Sequence, residues 1–382
     1  MKNKLQSLFI GLAVLAGVQQ TRAQVTNLGI APAPGGQSVL YWPVSGTNYV
    51  LQTTTNLATP NWVTASNAVT VNAATVTNSA PAGYFRLLAT PNTTAGMVLI
   101  PAGSFTMGNY LFYNSATNDP DIYDADPTNI YVSAFYMDVN LVSYGQWTHV
   151  YAYATSHGYN FVHAGAGKNS ATNQPVQTVD WFDCVKWCNA RSQQAGLTPV
   201  YYTDAGYTQV FTNGDNGTTV YQNLTTNGYR LPTEAEWEKS ARGGVAGNRF
   251  PWGNSISESQ ANYYGRTASF SYDLGPNGYN AIGSIGGTSP ATSPVGSFAP
   301  NGYGLYDMAG NLLEWCWDWY WTPYGQPTTN NPTGAGPGSG DRVLRGGPWS
   351  VSAAADSRCA YRTYYNPVLA GNNVGFRCVR GL

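Results

Sequence analysis

The stretch Arg345-Gly346-Gly347-Pro348-Trp349, with Gly375-Phe376-Arg377-Cys378 near the carboxy terminus, decides how this chain is read. No cysteine lies between Gly347 and Arg358. Two ordered segments upstream belong with it: Gly228-Tyr229-Arg230-Leu231-Pro232-Thr233-Glu234-Ala235-Glu236-Trp237-Glu238 and Asn301-Gly302-Tyr303-Gly304-Leu305-Tyr306-Asp307-Met308-Ala309-Gly310-Asn311. In the first, Thr233 and Glu236 form a capping box: the hydroxyl accepts from a first-turn amide, the carboxylate reaches back, and a helix is expected from Thr233 onward. Acidic residues in that first turn also suit the positive end of the helix. Another helix is expected over roughly residues 181–194, where Val185, Trp187 and Cys188 give a helical apolar stripe and Gly196 supplies a stop. Beyond Gly243 the sequence is nearly all loop, and a stretch of that kind ordinarily needs metal ions or disulfides to hold it.

Towards the amino terminus, residues 97–108 read as an apolar strand running into a glycine turn. Residues 24–90 are almost free of charge and carry short alternating runs, Ser38-Val39-Leu40-Tyr41-Trp42 and Tyr49-Val50-Leu51-Gln52-Thr53, separated by Ser45-Gly46-Thr47-Asn48. A small all-β, sandwich-like module is expected there, with residues 91–96 as a linker. Residues 1–23 have the layout of a secretory signal peptide: Lys2 and Lys4, an apolar core from Leu8 to Val18, then Thr21-Arg22-Ala23 before Gln24. That core is too short for a bilayer, which takes about 20 apolar residues. No membrane insertion is expected, and the mature protein should be secreted or periplasmic. Only 10% of the 382 residues are charged and the net charge is −1, which gives no electrostatic handle for nucleic acid or an anionic membrane. The 43 Gly, 28 Tyr and 12 Trp residues point to a core of aromatics, tight turns and loops.

The four anchor segments, spread over Met97–Leu382, resemble the formylglycine-generating enzyme, or sulfatase-modifying factor, family. The resemblance implies an α+β architecture with little regular secondary structure, a variant of the C-type lectin fold, for residues 97–382. In that family two thiols following the Gly-Gly pair bind copper(I) and oxidise a substrate cysteine with molecular oxygen; thiolates select copper(I) over harder metals. The matching positions, four and nine residues after Gly347, are Val351 and Asp356. Neither ligates copper(I). Arg358-Cys359-Ala360-Tyr361-Arg362 matches a separate family element that holds a structural cysteine, and Pro348 stands where the enzyme usually has serine. No catalytic residue and no copper are expected.

The resemblance also implies structural roles for the five cysteines. Cys188 maps onto the helix cysteine that pairs with the closing Cys378. The second bridge of the family joins the counterpart of Cys359 to a helix position that is Ala241 here, so Cys359 lacks its usual partner. Cys184, one turn from Cys188 on the same helical face, is the expected replacement, with a Cys184 to Cys378 exchange as the alternative. Cys316, between Trp315 and Trp317, reads as a buried free thiol.

Calcium is the metal that the resemblance supports. Its ligands would be the side chains of Asp307 and Glu314 with the carbonyls of Gly310 and Leu312, an all-oxygen set from a tight turn. A second site would map to Asn262 and Tyr263, with partners near Asn277 and Tyr279. His149, His157 and His163 lie close in sequence, but spacings of eight and six fit no metal signature, so they read as solvent-facing or hydrogen-bonded.

The leading functional expectation is an exported family member without oxidase activity that binds a protein or small-molecule ligand where the enzyme would hold its substrate. Trp349, Val351, Asp356, Tyr364 and Tyr365 are the candidate contacts, since tyrosine gives large contact area at low entropy cost. Some lectin-fold proteins of this subtype carry diversified binding segments in the same place. Two alternatives stand beside it: an active formylglycine-generating oxidase using cysteines differently placed, and a structural or surface-assembly protein. Fold alone does not choose among them.

Overall fold

The computed structural model describes residues 96–109, 122, 124–283, 291–322, 328–334, 336, 340–350 and 354–382, together with the backbone of six strands between residues 29 and 90. The chain divides into two compact units, Met1–Ala95 and Gly96–Leu382. In the first, Gly29–Ala33, Gln37–Tyr41 and Ala73–Thr77 form one three-stranded antiparallel sheet, and Val63–Thr64, Asn48–Thr54 and Tyr84–Thr90 form another. The two alternating runs are both strands, but they belong to different sheets. The signal peptide expected over 1–23 lies outside the described residues.

The second unit carries three α-helices among its described residues: α1 (Tyr144–Ser156), α2 (Trp181–Gln194) and α3 (Glu234–Ala241). In α3 Thr233 caps Glu236 and Glu236 caps back, as its sequence requires. Asp180 caps α2 through Asp183. Helix α1 was not anticipated; Ser143 and Gln146 form its capping box, and Trp147, Val150 and Ala154 are its buried stripe. Eleven residues of α2 and all eight of α3 are buried, which marks both as interior helices rather than surface ones.

Two four-stranded sheets frame these helices. One runs Tyr229–Arg230, Val379–Arg380, Phe135–Asp138, Met97–Ile100, and it ties the two ends of the unit together. The other runs Arg362–Tyr365, Arg342–Arg345, Leu313–Trp319, Val374–Gly375, the last pair parallel. Around α1 and α2 the core is aromatic: Trp147 and Trp187 stack with centroids 5.8 Å apart, and Phe376 meets both edge-on. A second core surrounds Trp237 of α3 and includes Cys316 and Cys359.

The loops after Gly243 are tied down by buried ion pairs radiating from α3. Glu234 receives Arg362 through two bonds of 2.8 Å, Glu236 receives Arg230 through two of 2.6 Å, and Glu238 receives both Arg242 and Arg345. Charged groups of such burial persist only when paired and hydrogen-bonded. The alternation Glu234-x-Glu236-x-Glu238 therefore aims three carboxylates at four arginines drawn from different parts of the chain.

Candidate functional site

The Gly-Gly turn sits at the end of the strand Arg342–Arg345, whose last residue is fully buried against Glu234, Glu238 and the Trp237 ring. Gly346 and Gly347 have φ of +100° and +74°, a region that L side chains rarely adopt. A Cβ on Gly347 would lie 2.6 Å from the carbonyl oxygen of Asp356, so the 3₁₀ turn Ala354–Ser357 packs directly on this glycine. On its other side the turn docks onto residues 307–314: the Gly310 amide donates to the Gly346 carbonyl at 2.7 Å, and the Trp349 amide to the Asn311 carbonyl at 2.9 Å.

That second turn is built from left-handed residues, Asp307 (φ +55°), Gly310 (φ +79°) and Asn311 (φ +70°). Asp307 Oδ2 accepts from the Gly296 amide at 2.8 Å, while its Oδ1 is buried without a hydrogen-bond partner. Burial pushes the Asp307 carboxyl up to about 6. Glu314 is fully buried; its Oε2 accepts from Arg377 Nε at 2.7 Å and Trp237 Nε1 at 3.0 Å, and its Oε1 from Arg377 Nη2 at 2.8 Å.

The sulfatase-modifying factor enzyme 1-like domain matches residues 85–382. The chain belongs to the sulfatase-modifying factor family. Among its relatives, the formylglycine-generating enzyme of Bos taurus is 34% identical over 303 residues, covering 75% of this chain and 75% of that protein. The chaperone protein LppX of Paenibacillus barcinonensis is 30% identical over 307 residues, covering 79% and 96%. Of solved structures, Treponema denticola variable protein 1 superposes with a TM-score of 0.56 at 26% identity, covering 75% of this chain and 95% of that one. The low-helix α+β architecture is that of the family.

The two positions expected from the sequence to stand in for the oxidase thiols are Val351 and Asp356. Val351 lies outside the described residues. Asp356 is in the 3₁₀ turn beneath Gly347 and accepts a hydrogen bond from the Tyr361 hydroxyl. The five cysteines are all fully buried. Burial drives the Cys184, Cys188 and Cys316 thiols well up and takes Cys359 to about 12, which disfavours the thiolate at each.

Cys188 and Cys378 meet in the core with sulfurs 3.6 Å apart. Cys184 lies in the same cluster, whereas Cys359 lies in the other, beside Cys316 and Ala241, with its amide bonded to the Arg249 carbonyl. The expected Cys184 to Cys359 bridge would thus join residues that the structure places in different cores. The face shared by Cys184 and Cys188 looks towards Cys378, not towards the 358–362 segment.

The candidate aromatic contacts separate. Trp349 joins Tyr279, centroids 6.3 Å apart, and Tyr279 meets Tyr264 edge-on at 4.7 Å, with Arg266 over Tyr264. Tyr364 and Tyr365 pair with Val343 and Arg342, at the far end of the strand that leads to Trp349. Tyr364 is half exposed and packs on Tyr320 at 4.5 Å, while Tyr365 turns inward to Trp315. Tyr264–Gly265 pairs with Gly278–Tyr279, a ribbon that the sequence reading does not contain.

For calcium, the fit rests on Asp307, whose buried Oδ1 is a hard donor without a hydrogen-bond partner. Glu314 is already neutralised by Arg377. At the second position Asn262 donates to the Ala291 carbonyl, Tyr263 is fully buried with its hydroxyl on Asp273, and Asn277 accepts from Thr267. The three histidines do not converge. His149 meets Gln194 and His157 stacks on Tyr153, but His163 faces two carboxylates, Asp180 and Asp183. Sequence spacing could not reveal that meeting; only the Asp180-x-x-Asp183 cap hinted that two acids share one end of α2.

Proposed function

We propose that this chain is an exported member of the sulfatase-modifying factor family that lacks the oxidase reaction and acts as a ligand- or protein-binding domain. The observation that carries the reading is the burial of all five thiols within two packed cores. A copper(I) oxidase needs two thiolates open to metal and to a substrate cysteine, and a metal site missing its ligands is a different site rather than a weaker one. Asp356, at one of the two expected thiol positions, is engaged by Tyr361. The binding surface is the partly exposed aromatic group Trp349, Tyr279 and Tyr264 beside the Gly-Gly turn. A relative of near-equal coverage that carries the name of a chaperone supports a binding role in this family. Calcium belongs to the same proposal, held at Asp307 as a structural ion that fixes the turn on which Trp349 rests.

The test is to incubate the purified mature protein with copper(I), oxygen and a sulfatase-type cysteine peptide and to weigh the product. No aldehyde is expected. Copper-dependent turnover above a boiled control would overturn the reading and return the chain to the oxidases.

A further inference from the structure

We propose that His163, Asp180 and Asp183 form a binding site for one divalent transition-metal ion of the zinc class. It lies at the amino end of α2, shares no residue with the Gly-Gly turn or the Asp307 turn, and plays no part in the function proposed above. The three side chains offer one ligand atom each, all within 4.8 Å of one another.

Two halves of each carboxylate are used differently. Asp180 Oδ1 accepts the Asp183 amide at 2.6 Å as the helix cap, while its Oδ2 is buried and accepts no hydrogen bond, in a residue 1% exposed. Asp183 Oδ1 accepts the Val162 amide at 2.9 Å and faces Lys186 Nζ at 3.3 Å, while Oδ2 accepts the His163 amide at 2.8 Å. The backbone bond fixes His163 over the carboxylates, with Nδ1 3.0 Å from Asp183 Oδ2 and 3.4 Å from Asp180 Oδ2.

Nδ1 carries at most one proton and directs it at one acceptor, so the imidazole by itself does not satisfy both of the carboxylate oxygens that face it. A tetrahedral ion with bonds of about 2.0–2.1 Å holds its ligand atoms about 3.3–3.4 Å apart, near the 3.0 and 3.4 Å that separate Nδ1 from the two carboxylate oxygens. Among the described residues, Lys186 is the cation paired with these two carboxylates, which leaves negative charge for a dication to neutralise. One imidazole with two carboxylates suits zinc, manganese or ferrous iron, not copper(I), and the imidazole disfavours calcium, which takes oxygen. His163 is the member at the surface, with its side chain 28% exposed, so an ion can enter from that side.

The test uses the full-length protein stripped with chelator, then equilibrated with micromolar zinc in millimolar calcium and assayed for bound metal and thermal stability. One zinc per chain and a raised melting temperature are expected. His163→Ala and Asp180→Asn, the latter keeping the cap, should each weaken binding by at least about tenfold. His149→Ala and His157→Ala should keep it. His163→Gln changes only a partly exposed side chain, so loss of zinc from a variant whose circular dichroism is unchanged assigns the loss to the site. A wild-type protein that retains no zinc, or His163 and Asp180 variants that bind it as tightly as wild type, would overturn the proposal.

Discussion

Replacing Glu314 by Gln tests which cation this carboxylate serves. In the structure both its oxygens are taken, by Arg377 Nε and Nη2 and by Trp237 Nε1, and both partners of the ion pair are fully buried. Glutamine keeps the volume but leaves the Arg377 guanidinium without a counter-ion in the core. Breaking a buried pair in this way costs about 3–5 kcal/mol. For a unit of this size about 2 °C of melting temperature goes with each kcal/mol, so a fall of about 6–10 °C is expected. The assay is a thermal melt of wild type and Glu314→Gln, each with calcium and with chelator, and the drop should be the same in both. Arg377→Met in the same background should cost less than it does in wild type, because the two residues act as a unit. If Glu314→Gln melts within about 1 °C of wild type in chelator and low only in calcium, Glu314 serves the metal alone and the arginine pairing carries no weight.

Chelator should lower the melting temperature of wild type, and Asp307→Ala should melt low while responding far less to it; at free calcium of about 100 times Kd, one site contributes about 2.7 kcal/mol. An unchanged wild-type melt would remove calcium from the Asp307 turn. Non-reducing peptide mapping should join Cys188 to Cys378, whose sulfurs already lie 3.6 Å apart, and a Cys184 to Cys359 peptide would contradict the two-core packing. Asp318 is pushed up to about 7, by burial first and then by Glu234. Its folded form binds the proton more tightly than the unfolded chain, so stability from this group is present at low pH and is lost as pH rises from about 4 to about 7, on the order of a few kcal/mol. Asp318→Asn should flatten that slope in denaturant titrations, and an unaltered slope would mean that Asp318 titrates normally.

Helices α2 and α3 were legible from one strong signal each: the stripe of Val185, Trp187 and Cys188 ahead of Gly196 in α2, and the Thr233 and Glu236 capping box in α3. Helix α1 has the same kind of cap in Ser143 and Gln146, but Tyr144, Tyr151 and Tyr153 surround its buried stripe and blur the period. The anchor segments pointed to the family and hence to the Gly-Gly turn and the Asp307 turn that meet in the structure. What they did not convey was direction. The helical spacing put Cys184 and Cys188 on one face correctly, yet not which neighbour that face meets. Glu314 reads as a metal ligand in isolation, and its pairing with Arg377, 63 residues on, exists only once the chain is folded. The same holds for His163, whose carboxylate partners lie about 20 residues away on α2.

The three carboxylates of α3 bear on the order in which the protein can assemble. Glu236 finds Arg230 6 residues away and Glu238 finds Arg242 4 residues away, but the second partner of Glu238, Arg345, and the partner of Glu234, Arg362, come 107 and 128 residues later. During synthesis, at about 5–20 residues per second, α3 therefore spends several seconds with Glu234 lacking Arg362 and Glu238 lacking Arg345. Until the last strands arrive, burying this helix would strand uncompensated charge. The final fifth of the chain thus acts as a latch, and loss of even the segment containing Arg362 should leave the whole second unit open rather than merely trimmed. Such late, distant closure is a source of slow folding.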